Sequence, residues 1–176
     1  MKFTVTAGHS DKDSGACANG YKEADLALWL RNIVASKLRQ LGHTVLEDGE
    51  DGQNQPLATA ITLIPKAHKA IEIHFNAAAS ALACGVETIA LPRDKALAQN
   101  ISSAIACTLG TKLRGDKGFI DQSKSARGKL GFVSNGGLII EVCFITNKAE
   151  MDSYQDRKWL VASAITRVLD EWSKKQ

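Results

Sequence analysis

No block of like charge, no Cys-x-x-Cys pair and no apolar run long enough to cross a bilayer occurs in these 176 residues. Each absence narrows the function. Aromatic residues make up only 6% of the chain, and none alternate with basic residues, so a nucleic-acid reader is not expected. The cysteines Cys17, Cys84, Cys107 and Cys143 are widely spaced. They read as reduced, partly buried thiols of a protein made in a reducing compartment rather than as a disulfide framework. Without a long apolar run there is no stable membrane span. Nothing ahead of the first strand reads as a signal peptide, so the expectation is a chain made in the cytoplasm. There is no internal repeat, linker or low-complexity segment, and residues 1–176 read as one domain. A His-Glu-x-x-His helix is also missing, so any zinc site must be assembled from separate elements.

What is present is an ordinary globular composition, 44% hydrophobic and 23% charged, enough to build one real core. The net charge of +3 suits an anionic partner such as a cell wall or membrane surface. Strands are predicted at Met1–Thr6, His43–Leu46, Ala70–Phe75, Val86–Leu91, Lys129–Val133 and Leu138–Phe144. Helices are predicted at Lys22–Leu41, Leu57–Ile64, Pro92–Leu109 and Gln155–Lys174. Glu47–Pro56 reads as an acidic loop and Gly110–Arg127 as a long basic one. Ala77–Cys84 fits either a loop or a helical turn. Strands alternating with helices predict an α/β domain, a twisted and mostly parallel sheet with helices on both faces.

Four positions stand out chemically. His9 closes the first strand beside Gly8, where open α/β sheets place their ligands. Alone it reads equally as a hydrogen-bonded turn histidine. Glu23 sits in the first turn of the first long helix, a position that suits any carboxylate. In Ile71-Glu72-Ile73-His74-Phe75-Asn76 the apolar residues share one face, and Glu72, His74 and Asn76 share the other. A strand inside a sheet needs water or a site on so polar a face. Glu141 interrupts the apolar run Leu138 to Phe144, and a buried carboxylate must be paired, protonated or near a metal. Two histidines and a glutamate suit Zn²⁺ with a fourth position left for water, and a further glutamate can then take that water's proton.

At these residues the chain resembles the zinc-dependent N-acetylmuramoyl-L-alanine amidases of the AmiC/CwlV-like type. Gly8-His9-Ser10-Asp11-Lys12-Asp13-Ser14-Gly15-Ala16 resembles the family's opening Gly-His-Gly-Gly-x-Asp-x-Gly-Ala. Tyr21 to Ala27 resembles its glutamate-bearing helix start. Ile73-His74-Phe75-Asn76-Ala77, followed by Gly85-Val86-Glu87-Thr88, resembles Ser-Ile-His-x-Asn-Ala and Gly-x-Glu-Thr. Leu138 to Asn147 resembles Leu-x-Glu-x-Gly-Phe-x-Ser-Asn. The resemblance implies zinc ligands at His9, Glu23 and His74 and a catalytic Glu141. Departures are Ser10 and Cys143 in place of glycines, Leu46-Glu47-Asp48 in place of a Thr-Arg segment, and Glu72 where a small polar residue is usual. Glu72 could orient a ligand or be a solvated strand carboxylate.

The implied reaction is zinc-dependent hydrolysis of the amide joining muramic acid to L-alanine in peptidoglycan, and the implied partner is peptidoglycan. A substrate outside the cytoplasm and no visible export signal together point to a phage endolysin that reaches the wall after release. A host autolysin, a spore-wall amidase, a cross-bridge peptidase and a non-catalytic wall-binding domain remain open. The closing helix, with Trp159, Leu160 and Trp172 among basic residues, could touch an outer membrane weakly or pack its apolar face on the sheet.

Overall fold

The computed structural model describes residues 1–49, 52–125 and 128–176. The parts of the expected acidic and basic loops at 50, 51, 126 and 127, Arg127 among them, lie outside the described residues. In chain order the elements are β1 (Lys2–Ala7), β2 (Cys17–Ala18), β3 (Tyr21–Lys22), α1 (Glu23–Gln40), β4 (Thr44–Glu47), α2 (Leu57–Leu63), β5 (Lys69–Asn76) and β6 (Glu87–Ala90). They continue with α3 (Lys95–Leu109), β7 (Phe119–Asp121), α4 (Gly131–Ser134), β8 (Leu138–Phe144) and α5 (Lys148–Ser173). Together they form a single α/β domain, as the strand–helix alternation predicts.

Six strands form one sheet in the order β4-β1-β5-β8-β6-β7. The first four run parallel, and β6 reverses direction against β8 with β7 parallel to it. Phe3, Val5, Ile71, Ile73, Phe75, Leu138, Ile140 and Val142 point to one face and bury against the apolar stripes of α1, α3 and α5. The alternation of these strands sends every second residue to the other face. There α2 and α4 cover only the beginnings of the strands, through Ala60, Phe132, Val133 and Ile139. The strand ends of that second face carry Glu72, His74, Asn76, Glu141 and Glu87. The fold thus gathers the polar residues of the sheet into a row at these strand ends.

Three expectations are corrected. Residues 129–133 do not form a strand. Gly131–Ser134 is a single helical turn that drops Phe132 and Val133 onto the second face. The basic loop contains β7, which extends the sheet beside β6. The closing helix begins seven residues early, at Lys148, because the Asn147 side chain caps it by accepting from the Glu150 amide at 3.1 Å. Ala77–Cys84 contains no helix or strand.

The apolar face of α5 is consumed by the core: Met151, Tyr154, Val161, Ile165 and Leu169 are fully buried. Trp159 and Leu160 stay exposed, with Trp159 edge-on to Trp29 at 4.9 Å. Among the described residues no helix is long and apolar enough to cross a membrane. All four cysteines are unbridged.

Candidate metal centre

The site forms where β1, α1 and β5 meet. β1 ends at Ala7, and the chain turns sharply so that His9 adopts a left-handed conformation with φ 68°. A non-glycine residue held there is strained, and such strain concentrates at functional sites. Two glycines make the turn possible. A Cβ on Gly8 would lie 2.2 Å from the His74 ring, and one on Gly15 would lie 2.5 Å from the His9 ring. Each glycine is the space an imidazole occupies. The loop is pinned from below, where Asn54 Nδ2 donates to the Gly8 carbonyl at 2.9 Å.

Glu23 is the first residue of α1 and is 1% exposed. The β2–β3 ribbon seats it, since the Glu23 amide donates to the Ala16 carbonyl at 2.9 Å. Its carboxylate accepts from the Phe75 amide at 3.0 Å and the Ala16 amide at 3.1 Å. Its two oxygens then face the two histidines: Oε1 lies 3.0 Å from His74 Nδ1, and Oε2 lies 2.9 Å from His9 Nε2. One ligand-type atom from each of His9, Glu23 and His74 lies within 4.8 Å of the others.

The outer nitrogens are also engaged. His9 Nδ1 lies 3.0 Å from Asp13 Oδ2, and His74 Nε2 lies 3.2 Å from Glu72 Oε2. Glu72 is 3% exposed, so it is not a solvated strand carboxylate; it braces the histidine. Asp13 was legible only as part of a motif. Its bond to His9 depends on the left-handed turn, which no local sequence pattern announces.

Glu141 is buried at 2% exposure on β8 and stands in register with His74 on the neighbouring parallel strand. Residues paired in this way project to the same face about 4.8 Å apart. Its negative charge contributes to the field at His74.

The electrostatics suit a cation. Burial works against a charged His74, but the bonds to Glu23 and Glu72 outweigh it and push its pKa up to about 10. His9 is also raised, chiefly by the Glu23 carboxylate beside it, against its own burial. Burial opposes ionisation of Glu23, yet the two histidines hold its carboxyl well below the usual carboxylate range. His9 Nε2 approaches Glu23 without hydrogen-bond geometry and has no hydrogen-bond partner. Nε2 of His9, Nδ1 of His74 and the Glu23 carboxylate are thus gathered within 4.8 Å of one another. Ligands at about 2.0–2.1 Å around a tetrahedral ion stand about 3–3.5 Å apart. Two imidazole nitrogens and a carboxylate oxygen gathered within 4.8 Å are a donor set that suits a zinc-like ion.

A cleft of about 420 Å³ adjoins the triad, floored by Glu72 and His74 and walled by Pro56, Leu57, Phe132 and Ile139. It is large enough for a sugar or a short peptide segment. A larger hollow, between α3 and α5, lies away from these residues.

Comparison with known proteins decides the family. The profile of the N-acetylmuramoyl-L-alanine amidases matches residues 4–171. The chain belongs to this family. It is similar to LytC of Bacillus subtilis, an N-acetylmuramoyl-L-alanine amidase, at 29% identity over 160 residues, covering 83% of this chain and 30% of LytC. A Neisseria meningitidis protein, whose assignment as such an amidase is itself provisional, superposes with TM-score 0.91 at 38% identity, covering 98% of this chain and 96% of that one. The catalytic domain of the amidase CwlV from Paenibacillus polymyxa superposes with TM-score 0.83 at 25% identity, and the coverage is 100% of both chains. The fold is shared more widely: the catalytic domain of the CD27L endolysin, which targets Clostridium difficile, reaches TM-score 0.72 at 20% identity over 97% of both chains.

Proposed function

We propose that this amidase-family protein hydrolyses the bond between N-acetylmuramic acid and L-alanine in peptidoglycan, with zinc held by His9, Glu23 and His74. The observation that carries the reading is the convergence of three donors within 4.8 Å on the sheet face where Glu141 stands beside His74. A zinc ion held there supplies Lewis-acid polarisation of the amide carbonyl and lowers the pKa of water from about 15.7 to about 7.

The protein's own groups do the rest. Glu72 accepts from His74 Nε2 and Asp13 from His9 Nδ1, which leaves Nδ1 of His74 and Nε2 of His9 facing inward as donors to the metal. Glu141 accepts the proton of the attacking water and delivers it to the amide nitrogen as the carbon–nitrogen bond breaks. An amide nitrogen is too basic to leave without that proton. Burial of Glu141 keeps bulk water from competing for the proton. A wall-binding domain without catalysis needs neither an inward-facing donor triad nor a buried acid beside it. The same reaction serves a phage at host lysis, as expected from the sequence, or a bacterium remodelling its own wall.

One variant series tests the assignment, with zinc affinity measured by chelator competition beside turnover. Glu141→Gln is expected to bind zinc normally and lose turnover by at least about 100-fold. His74→Ala is expected to lose both. Glu72→Gln is expected to weaken zinc binding about 10- to 100-fold. Normal turnover in Glu141→Gln, or full zinc affinity in His74→Ala, would refute the corresponding role.

A further inference from the structure

The polar row on the second sheet face does not end at Glu141. β8 carries one extra residue against β5, so that His74 pairs with Glu141 but Asn76 pairs with Phe144. Such a bulge re-aims the side chains beyond it. Here it turns the Phe144 ring onto the same face as Glu141 and Asn76. The guanidinium carbon of Arg114 lies 4.9 Å from the centre of that ring. Arg114 Nε donates to Glu87 Oε2 at 2.6 Å, and Glu87 Oε1 accepts from Asn76 Nδ2 at 3.0 Å. Glu87 in turn stands opposite Glu141 across the β6–β8 pair. The arginine is thus stacked on one side and bonded through its inner nitrogen.

The outer edge is different. Among the described residues neither Nη of Arg114 has a hydrogen-bond partner, and the side chain is 37% exposed. A fixed guanidinium with its fork open to solvent is pre-organised for a carboxylate. From these contacts we propose that Arg114 is a specificity-determining residue that binds a carboxylate on the peptide side of the scissile amide. This rests on the amidase reading above.

Reach and charge both fit. Glu87 is two strand spacings from His74, about 10 Å. An extended peptide advances about 3.3–3.6 Å per residue. A carbonyl at the metal triad therefore brings the second or third peptide residue to Arg114. The other end of the row is unsuited to an anion. Asp13 and Glu72 line the cleft there among Pro56, Leu57 and Phe132. A neutral sugar with apolar faces suits that cleft, and an acidic peptide suits the opposite end. The substrate then crosses the strands, with glycan in the cleft beside Glu72 and peptide passing over β8 toward Glu87 and Arg114.

The test uses the zinc-loaded protein and three synthetic muramyl tripeptides: one with free carboxylates, one amidated at the second residue and one amidated at the third. Amidation at one of these positions is expected to lower kcat/KM roughly 10- to 100-fold, the scale of a charge-assisted bond. Arg114→Gln is expected to lose the same factor on the free acid and to be indifferent to amidation, and Arg114→Lys is expected to fall between. If Arg114→Gln fails to fold, the amidation series on the unaltered protein still decides. Equal rates on all three substrates would overturn the role of Arg114 while leaving the amidase reading intact. A uniform slowing of Arg114→Gln, with the free-acid preference kept, would overturn it too. No hydrolysis of any of the three would overturn both.

Discussion

The carboxylates beside His9 and His74 favour the protonated form of both imidazoles. His74 is raised from 6.5 to about 10 in the folded protein. A raised pKa gives stability that is fully present below 6.5 and lost as pH climbs through 10. Glu23 is depressed, so its contribution is present above its ordinary 4.5 and lost only in strong acid. The metal-free protein is therefore expected to melt highest between about pH 4.5 and 6.5 and progressively lower toward pH 10. Saturating zinc needs the deprotonated donors, so it is expected to raise the melting temperature most on the alkaline side. Thermal melts across this range, with and without zinc, check both. A metal-free melting temperature flat from pH 6.5 to 10 would contradict the charge state argued for His74. At this scale the sequence was partly legible. His74 and Glu141 stood out because each put charge into an apolar strand. His9 and Glu23 looked ordinary alone, and it was resemblance that joined them to His74. Arg114 was one cation in a basic loop, and its stacking depends on a bulge that sequence alternation cannot reveal.

Elements were legible in proportion to their length. The long helices α1 and α3 and strands β1, β5 and β8 carry enough periodicity to declare themselves. The single turn of α4 and the three residues of β7 do not. The start of α5 was missed because Met151 and Tyr154, its first buried apolar positions, sit among polar residues. A departure from the family pattern also finds its meaning at this level. Asp48, just past β4, is fully buried against Arg31 of α1, with Arg31 Nη1 donating at 2.7 Å. Arg31 Nη1 also donates to the Gln53 carbonyl at 3.0 Å, so the pair ties the loop after β4 to α1 below the His9 turn. Removing one partner of a buried pair strands the other's charge. Glu47, 3.6 Å from Arg31 Nε, compensates in part. Asp48→Ala is accordingly expected to cost about 3 kcal/mol, the low end for such losses. That corresponds to a fall in Tm of about 6–12 °C for a domain this size. A change under about 2 °C would show that Glu47 alone satisfies the arginine.

The whole molecule divides its labour by sheet face. One face is closed by three helices and carries the main core. The other is half covered by α2 and α4, and the rest of it carries Glu72, His74 and Glu141, to which the end of β1 and the start of α1 bring His9 and Glu23. This division follows from strand alternation: a strand can be apolar toward one face and polar toward the other only if something other than core meets the polar side. Among the described residues the site draws on β1, α1, β5 and β8, which come together only when the sheet is assembled. The proposed metal affinity is therefore expected to be coupled to global folding. The central claim, that this assembled triad directs amide hydrolysis between glycan and peptide, is tested most directly by mass spectrometry of purified peptidoglycan. One sample is digested with the zinc-loaded protein and another with a chelator-treated control. The account expects free peptides beginning at L-alanine, bare glycan strands and no release after chelation. Cleavage within the peptides, or release that survives chelation, would contradict it.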